Sequence, residues 1–332
     1  MRFSQLMLCL LLFAVASLCS AQTDSSVAHS DSVLKIAYRY LSHGSTDTAR
    51  VLFEAVLSAR PDAGQARLGL VQVAVAEEEW GDALNSCEDM LKANPRDIAA
   101  HYYAGICERE LGTQRAGPMR KLAWGRAREH FETAIAIDSL FKDVLYQLAR
   151  LMEYKEEWPE AIALASHQIL ARPDQVDAQV GLFHIYRHYI AKTSADEALP
   201  WLLSLGNDYG RYFTAEVLRR TKRFQEAESI LVQLLKQPIA LPTQVCYLSL
   251  ARIYASQNDD ARAQANYWKG VDAVTSWLGA ALIFEDLKYI ISNKELERYN
   301  SLSSDRHKIT FFHRFWRLRR DARSFSRSAP PS

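Results

Sequence analysis

His184 and His188 stand four residues apart, the spacing at which two imidazoles on one helical face can share a metal ion. Between them lie Ile185, Tyr186 and Arg187, so no acid sits where a metal-dependent hydrolase keeps its base, and the pair reads equally as two solvated or capping histidines. The chain has no Gly-rich phosphate loop, no Gly-x-Ser-x-Gly nucleophile elbow and no Cys-x-x-Cys. Catalysis needs a nucleophile, a base and an orienting group that converge, so the sequence predicts no catalytic residue, no metal and no cofactor. Of five cysteines, Cys87, Cys107 and Cys246 lie beyond the N-terminal segment, and an odd number is no disulfide framework. Cys87 and Cys107 are expected on adjacent packed helices, where a bridge could form.

The elements that would position any site must come from 332 residues that are 48% hydrophobic and 24% charged, with only 13 Gly and 10 Pro. That profile excludes a disordered chain, a collagen-like repeat and a small disulfide scaffold. Residues 1–21 carry Arg2 as their only charge and an apolar run from Leu6 to Val15, which predicts a signal peptide cut after Ala21. The run is too short for a membrane span, which takes about 20 apolar residues. The remaining chain is therefore expected outside the cytoplasm, periplasmic or held at the cell envelope, with secretion as an alternative. Charge is uneven: Arg306 to Arg327 holds eight Lys/Arg against one acid, Asp321, which leaves the body acidic and argues against a nucleic-acid surface.

Internal repetition is the strongest signal. Glu78-Glu79-Trp80-Gly81-Asp82-Ala83, Glu156-Glu157-Trp158-Pro159-Glu160-Ala161 and Lys222-Arg223-Phe224-Gln225-Glu226-Ala227 share one pattern of polar residues, an aromatic, two spacers and an alanine. Ala49 to Ala83 is a step of 34 residues, Ala83 to Ala127 one of 44, and Ala127 to Ala161 again 34. Pro61 and Pro95 repeat the same interval. These positions resemble the tetratricopeptide repeat family, with a small residue and an aromatic in a first helix (Ala37 with Tyr40, Ala251 with Tyr254) and an early alanine in a second. The resemblance implies an all-α, right-handed superhelix of antiparallel helix pairs. About seven pairs are expected over 30–272, with an insertion at 113–124 that begins as a loop at Gly117-Pro118. Capping helices are expected over 273–321, with Trp277 to Tyr299 reading as one helix, and a disordered tail over 322–332. The stretch 284–321, with Phe284-Glu285-Asp286-Leu287 and Phe312-His313-Arg314-Phe315-Trp316, is similar to the opening of a bacterial exported-protein domain family named for a GWxTD motif.

Tetratricopeptide proteins bind partners through the concave row of first helices. Projecting the repeat register places Tyr102, Arg109, Tyr146 and Arg150 there, with Tyr154, Tyr212 and Arg219, and tyrosine and arginine are the side chains interface hot spots favour. In the C-terminal segment, Phe312, Phe315 and Trp316 share a helical face flanked by Arg317, Arg319 and Arg320. That suits a membrane surface, an acidic partner, or docking against the last repeat. The expected function is a non-enzymatic exported scaffold that takes a protein or peptide segment in its groove. A truncated GWxTD-type protein or a factor docked through its basic aromatic helix are the alternatives.

Overall fold

The computed structural model describes residues 30–287, 291–302 and 304–327; the expected signal peptide and the last five residues lie outside them. Every regular element among the described residues is helical. Two compact units divide the chain, the first ending at Tyr154 and the second starting at Lys155.

The first unit comprises α1 (30–42), α2 (Thr46–Ala59), α3 (Gly64–Ala76), α4 (Trp80–Ala93), α5 (Ile98–Gln114), α6 (Gly117–Ile137) and α7 (Val144–Tyr154). Consecutive helices pack as antiparallel neighbours, and α3, α5 and α7 also touch one another in a row. Small residues make this possible: Ala49 of α2, Ala83 of α4 and Ala127 of α6 are completely buried. A side chain without a γ atom lets helix backbones approach, and Phe53 and Phe131, equally buried, fill the adjoining space.

The second unit repeats the scheme with α8 (Trp158–Ala171), α9 (Val176–Lys192), α10 (Ala195–Ser204), α11 (Asp208–Arg220), α12 (Phe224–Leu234), α13 (Gln244–Ser256) and α14 (Asp260–Asp272). Here α9, α11 and α13 form the row. Three further helices follow: α15 (Trp277–Leu287), α16 (Asn293–Asn300) and α17 (Asp305–Arg327). α15 packs against both α13 and α9, so it reaches across the row of first helices in this unit.

The turns within pairs share one backbone solution. Glu78, Glu156, Lys222 and Asn258 adopt positive φ of 60–63°, each two residues before its second helix, and Gly44 does the same at 76°. A left-handed residue ends the first helix and redirects the chain.

Three expectations are corrected. The insertion is helical: α5 and α6 are lengthened to 17 and 21 residues, with only Arg115 and Ala116 between them. Gly117-Pro118 opens α6, because proline at the first helical turn lacks an N–H that would have no partner there anyway. Second, Trp277 to Tyr299 is not one helix. Ser292 starts α16 with a capping box, its Oγ accepting from the Glu295 amide at 3.3 Å while the Glu295 carboxylate accepts from the Ser292 amide at 3.0 Å. Third, α17 continues past Asp321 to Arg327.

Candidate functional site

α5 and α7 of the first unit bring Tyr102, Arg109, Tyr146, Arg150 and Tyr154 to one region. Asp97 caps α5, its carboxylate accepting from the Ala99 and Ala100 amides at 3.0 Å, and so fixes where that helix starts. Arg109 is only 1% exposed. It donates to the Glu110 carboxylate at 2.9 Å, to the Gln147 side-chain carbonyl at 2.7 Å and to the Gln147 backbone carbonyl at 3.0 Å. The rings of Phe131 and Tyr154 each stand 6.0 Å from its guanidinium carbon. Gln147 in turn donates to Asp143 at 2.7 Å, and Asp143 accepts from the Tyr102 hydroxyl at 2.5 Å. Burial, and then the charge of Asp143, push the Tyr102 phenol well above its ordinary pKa.

Arg150 faces outward from the same network. Its guanidinium, with the side chain 34% exposed, lies 3.5 Å from the Glu110 carboxylate that also pairs with Arg109 at 2.7 Å. It donates to the Tyr154 hydroxyl at 3.3 Å. One carboxylate thus serves two guanidiniums. Burial opposes the charge on Arg150, but Tyr154 and Glu110 outweigh it and hold the group above its ordinary pKa. Arg109 goes the other way, lowered first by burial and then by Arg150 beside it. Tyr146 is half-buried on the same helix as Arg150.

The sequence register did not single out Trp124, which belongs to this face. Its ring stacks on Tyr154 with centroids 6.4 Å apart, its Nε1–H donates to the Arg109 carbonyl at 3.2 Å, and Arg120 lies 5.4 Å over it. The extra residues of the insertion at 113–124 were the available signal, and the helical lengthening of α5 and α6 places the indole here.

Several of the predicted residues are taken up by the fold. Tyr102, Arg109 and Tyr212 are buried within the chain and offer no surface. Tyr212 sits between α9 and α13, its ring 5.5 Å from Phe183 and its hydroxyl 3.2 Å from Ser249 Oγ. Arg219 forks onto Glu216 at 2.9 and 3.1 Å. Phe312, Phe315 and Trp316 are also buried, packed with Leu248, Val271 and Ile283 of their own unit, so they anchor α17 to the fold. Arg317 is exposed, and the side chains of Arg319 and Arg320 lie outside the described residues. Among the described residues no group of three His, Cys, Asp or Glu side chains gathers around a metal-sized space. Cys87, Cys107 and Cys246 are buried free thiols, and burial pushes Cys107 and Cys246 up to about 12.

A tetratricopeptide repeat family model matches residues 40–104, from the end of α1 into α5. These residues are similar to tetratricopeptide repeats. No curated protein matches the chain. Among solved structures, a thermophilic tetratricopeptide repeat protein of Thermus thermophilus is 15% identical, with a TM-score of 0.43 over 73% of this chain and 98% of its own. PilF of Pseudomonas aeruginosa is 14% identical, with a TM-score of 0.43 over 79% of this chain and 99% of its own. A tetratricopeptide repeat protein of Parabacteroides merdae is 13% identical, with a TM-score of 0.38 over 85% and 98% of the two chains.

Proposed function

We propose that this chain is a non-enzymatic tetratricopeptide scaffold that binds a protein or peptide segment on the Arg150 face of its first unit, and that it works outside the cytoplasm, in a bacterial cell envelope. The observation that carries the binding face is the sharing of Glu110: Arg150 is held in place by Glu110 and Tyr154, yet its only described carboxylate is also engaged by the buried Arg109. A positioned, partly desolvated guanidinium loses little freedom when it accepts a partner's carboxylate or carbonyl, and the half-buried Tyr146, Tyr154 and Trp124 supply rigid apolar area around it. Tetratricopeptide repeats generally act as interaction modules rather than enzymes, which supports the scaffold reading.

The test uses the chain from Gln22 as bait in a native envelope extract. Tyr146→Ala with Arg150→Ala should lose a reproducible partner while circular dichroism stays unchanged. Retention of that partner by the double variant would remove this face from the reading. Export rests on Arg2 and the Leu6 to Val15 run. N-terminal sequencing of the protein made from its full reading frame should begin at Gln22 and find it in the extracytoplasmic fraction.

A further inference from the structure

The cleft between α16 and α17 takes no part in the Arg150 face. It encloses about 320 Å³, at the lower end of what binding clefts hold, and Leu302, Phe311, Phe315 and Leu318 form its apolar lining. The floor is fixed from behind. Phe315 is 3% exposed and meets Trp316 at 5.3 Å, while Phe311 meets Tyr299 at 5.6 Å. Around the opening stand Lys294, Arg298, His307 and Arg314, all exposed. Glu295, the one acid among the described lining residues, is taken up at the start of α16, accepting from the Ser292 amide at 3.0 Å and its hydroxyl at 2.7 Å. Leu318 on the lip remains 59% exposed.

An apolar floor beneath a cationic rim selects a ligand that joins the two opposite characters. We propose that this cleft is a second docking surface, for a peptide segment that carries acidic residues beside large apolar ones. The apolar side chain enters onto Phe311 and Phe315, and the carboxylates meet Arg298 and Arg314. A bilayer fits less well. Anchoring in a membrane interface requires apolar side chains that project several ångströms outward, whereas Phe312, Phe315 and Trp316 turn inward and Leu318 is the large apolar side chain that projects among the described residues of α17. The excess of Lys/Arg over acids in this segment adds long-range attraction for an acidic chain.

The probe is a fluorescein-labelled peptide of alternating aspartate and leucine, titrated into the chain from Gln22 and read by fluorescence anisotropy. Two control peptides replace leucine by serine or aspartate by asparagine. The Asp/Leu peptide should bind tightest, and binding should weaken as salt rises. Arg298→Glu with Arg314→Glu should weaken it at least about tenfold, Leu318→Asp less so. These positions are exposed, so melting temperatures should not move. Arg150→Ala should leave this binding unchanged, which separates the cleft from the face proposed above. Equal binding of the serine control, or indifference to the charge reversal, overturns the proposal. So does binding to phosphatidylglycerol vesicles without binding to the peptide, which would assign the cleft to a lipid surface.

Discussion

The indole of Trp124 occupies the space that a side chain at position 112 would need: a Cβ on Gly112 would stand 2.3 Å from the ring. Gly112 is therefore what allows α5 and the lengthened α6 to close around Tyr154. In an ordinary helix interior Gly→Ala stabilises by roughly 0.5–1 kcal/mol. Gly112→Ala should do the opposite, costing about 1–3 kcal/mol as the ring is displaced. Urea unfolding gives the sign, and the tryptophan emission should shift to the red as the indole leaves its stack.

Arg109 makes the second case. Its guanidinium is wholly buried between Glu110 and Gln147. Removing one partner of a buried pair leaves the other uncompensated, at a cost of about 3–5 kcal/mol. Arg109→Ala should lose somewhat less than that in chemical denaturation, because Arg150 still stands 3.5 Å from Glu110, with Arg109→Lys intermediate because a compact ammonium lacks the planar fork that reaches both Glu110 and Gln147. Arg150→Ala, at a partly solvated site, should cost much less, on the order of 1 kcal/mol. If the two alanine variants were equally unstable, Arg150 would belong to the core rather than to a binding face.

The contrast between these two arginines marks where sequence reading stops. A period of 34 residues and an alanine near the start of each second helix make the helix pairs legible, because small residues at fixed spacing have one physical use there. The same register brings Arg109 and Arg150 onto the first-helix row but carries no depth. Burial depends on what the helices two places away contribute, and Gln147 and Glu110 do not announce themselves as partners for a guanidinium. The loop expected at Gly117-Pro118 misleads for a related reason, since that dipeptide marks a helix start as readily as a turn. The aromatic face of α17 was legible as a face, and its cover by α13, α14 and α15 was not.

Lys222 illustrates the shared turn. It holds φ at 63°, where a side chain is disfavoured by roughly 1–2 kcal/mol and a β-branched one by more. Lys222→Gly should therefore be tolerated, its relief of strain offset by the greater freedom of the unfolded chain. Lys222→Val should lower the melting temperature clearly. Equal melting temperatures for the glycine and valine variants would show that the turn relaxes without the left-handed residue.

The pH response of the first unit should centre on His130, whose Nδ1 lies 3.0 Å from the Nδ1 of His101, so that a single proton fits between the two rings. Burial first, then His101 and Arg126, pushes His130 down to about 4. In the unfolded chain it titrates near the ordinary value of about 6.5. Between those two values the unfolded state binds the proton and the folded state does not, so folding loses stability as pH falls through that window. His130→Asn removes the titration while keeping a polar side chain. A melting curve measured from about pH 7 to about pH 4 should then fall less steeply for the variant than for the parent. Parallel curves would mean that His130 ionises in the fold as easily as in the open chain, and that the contact with His101 places no constraint on its proton.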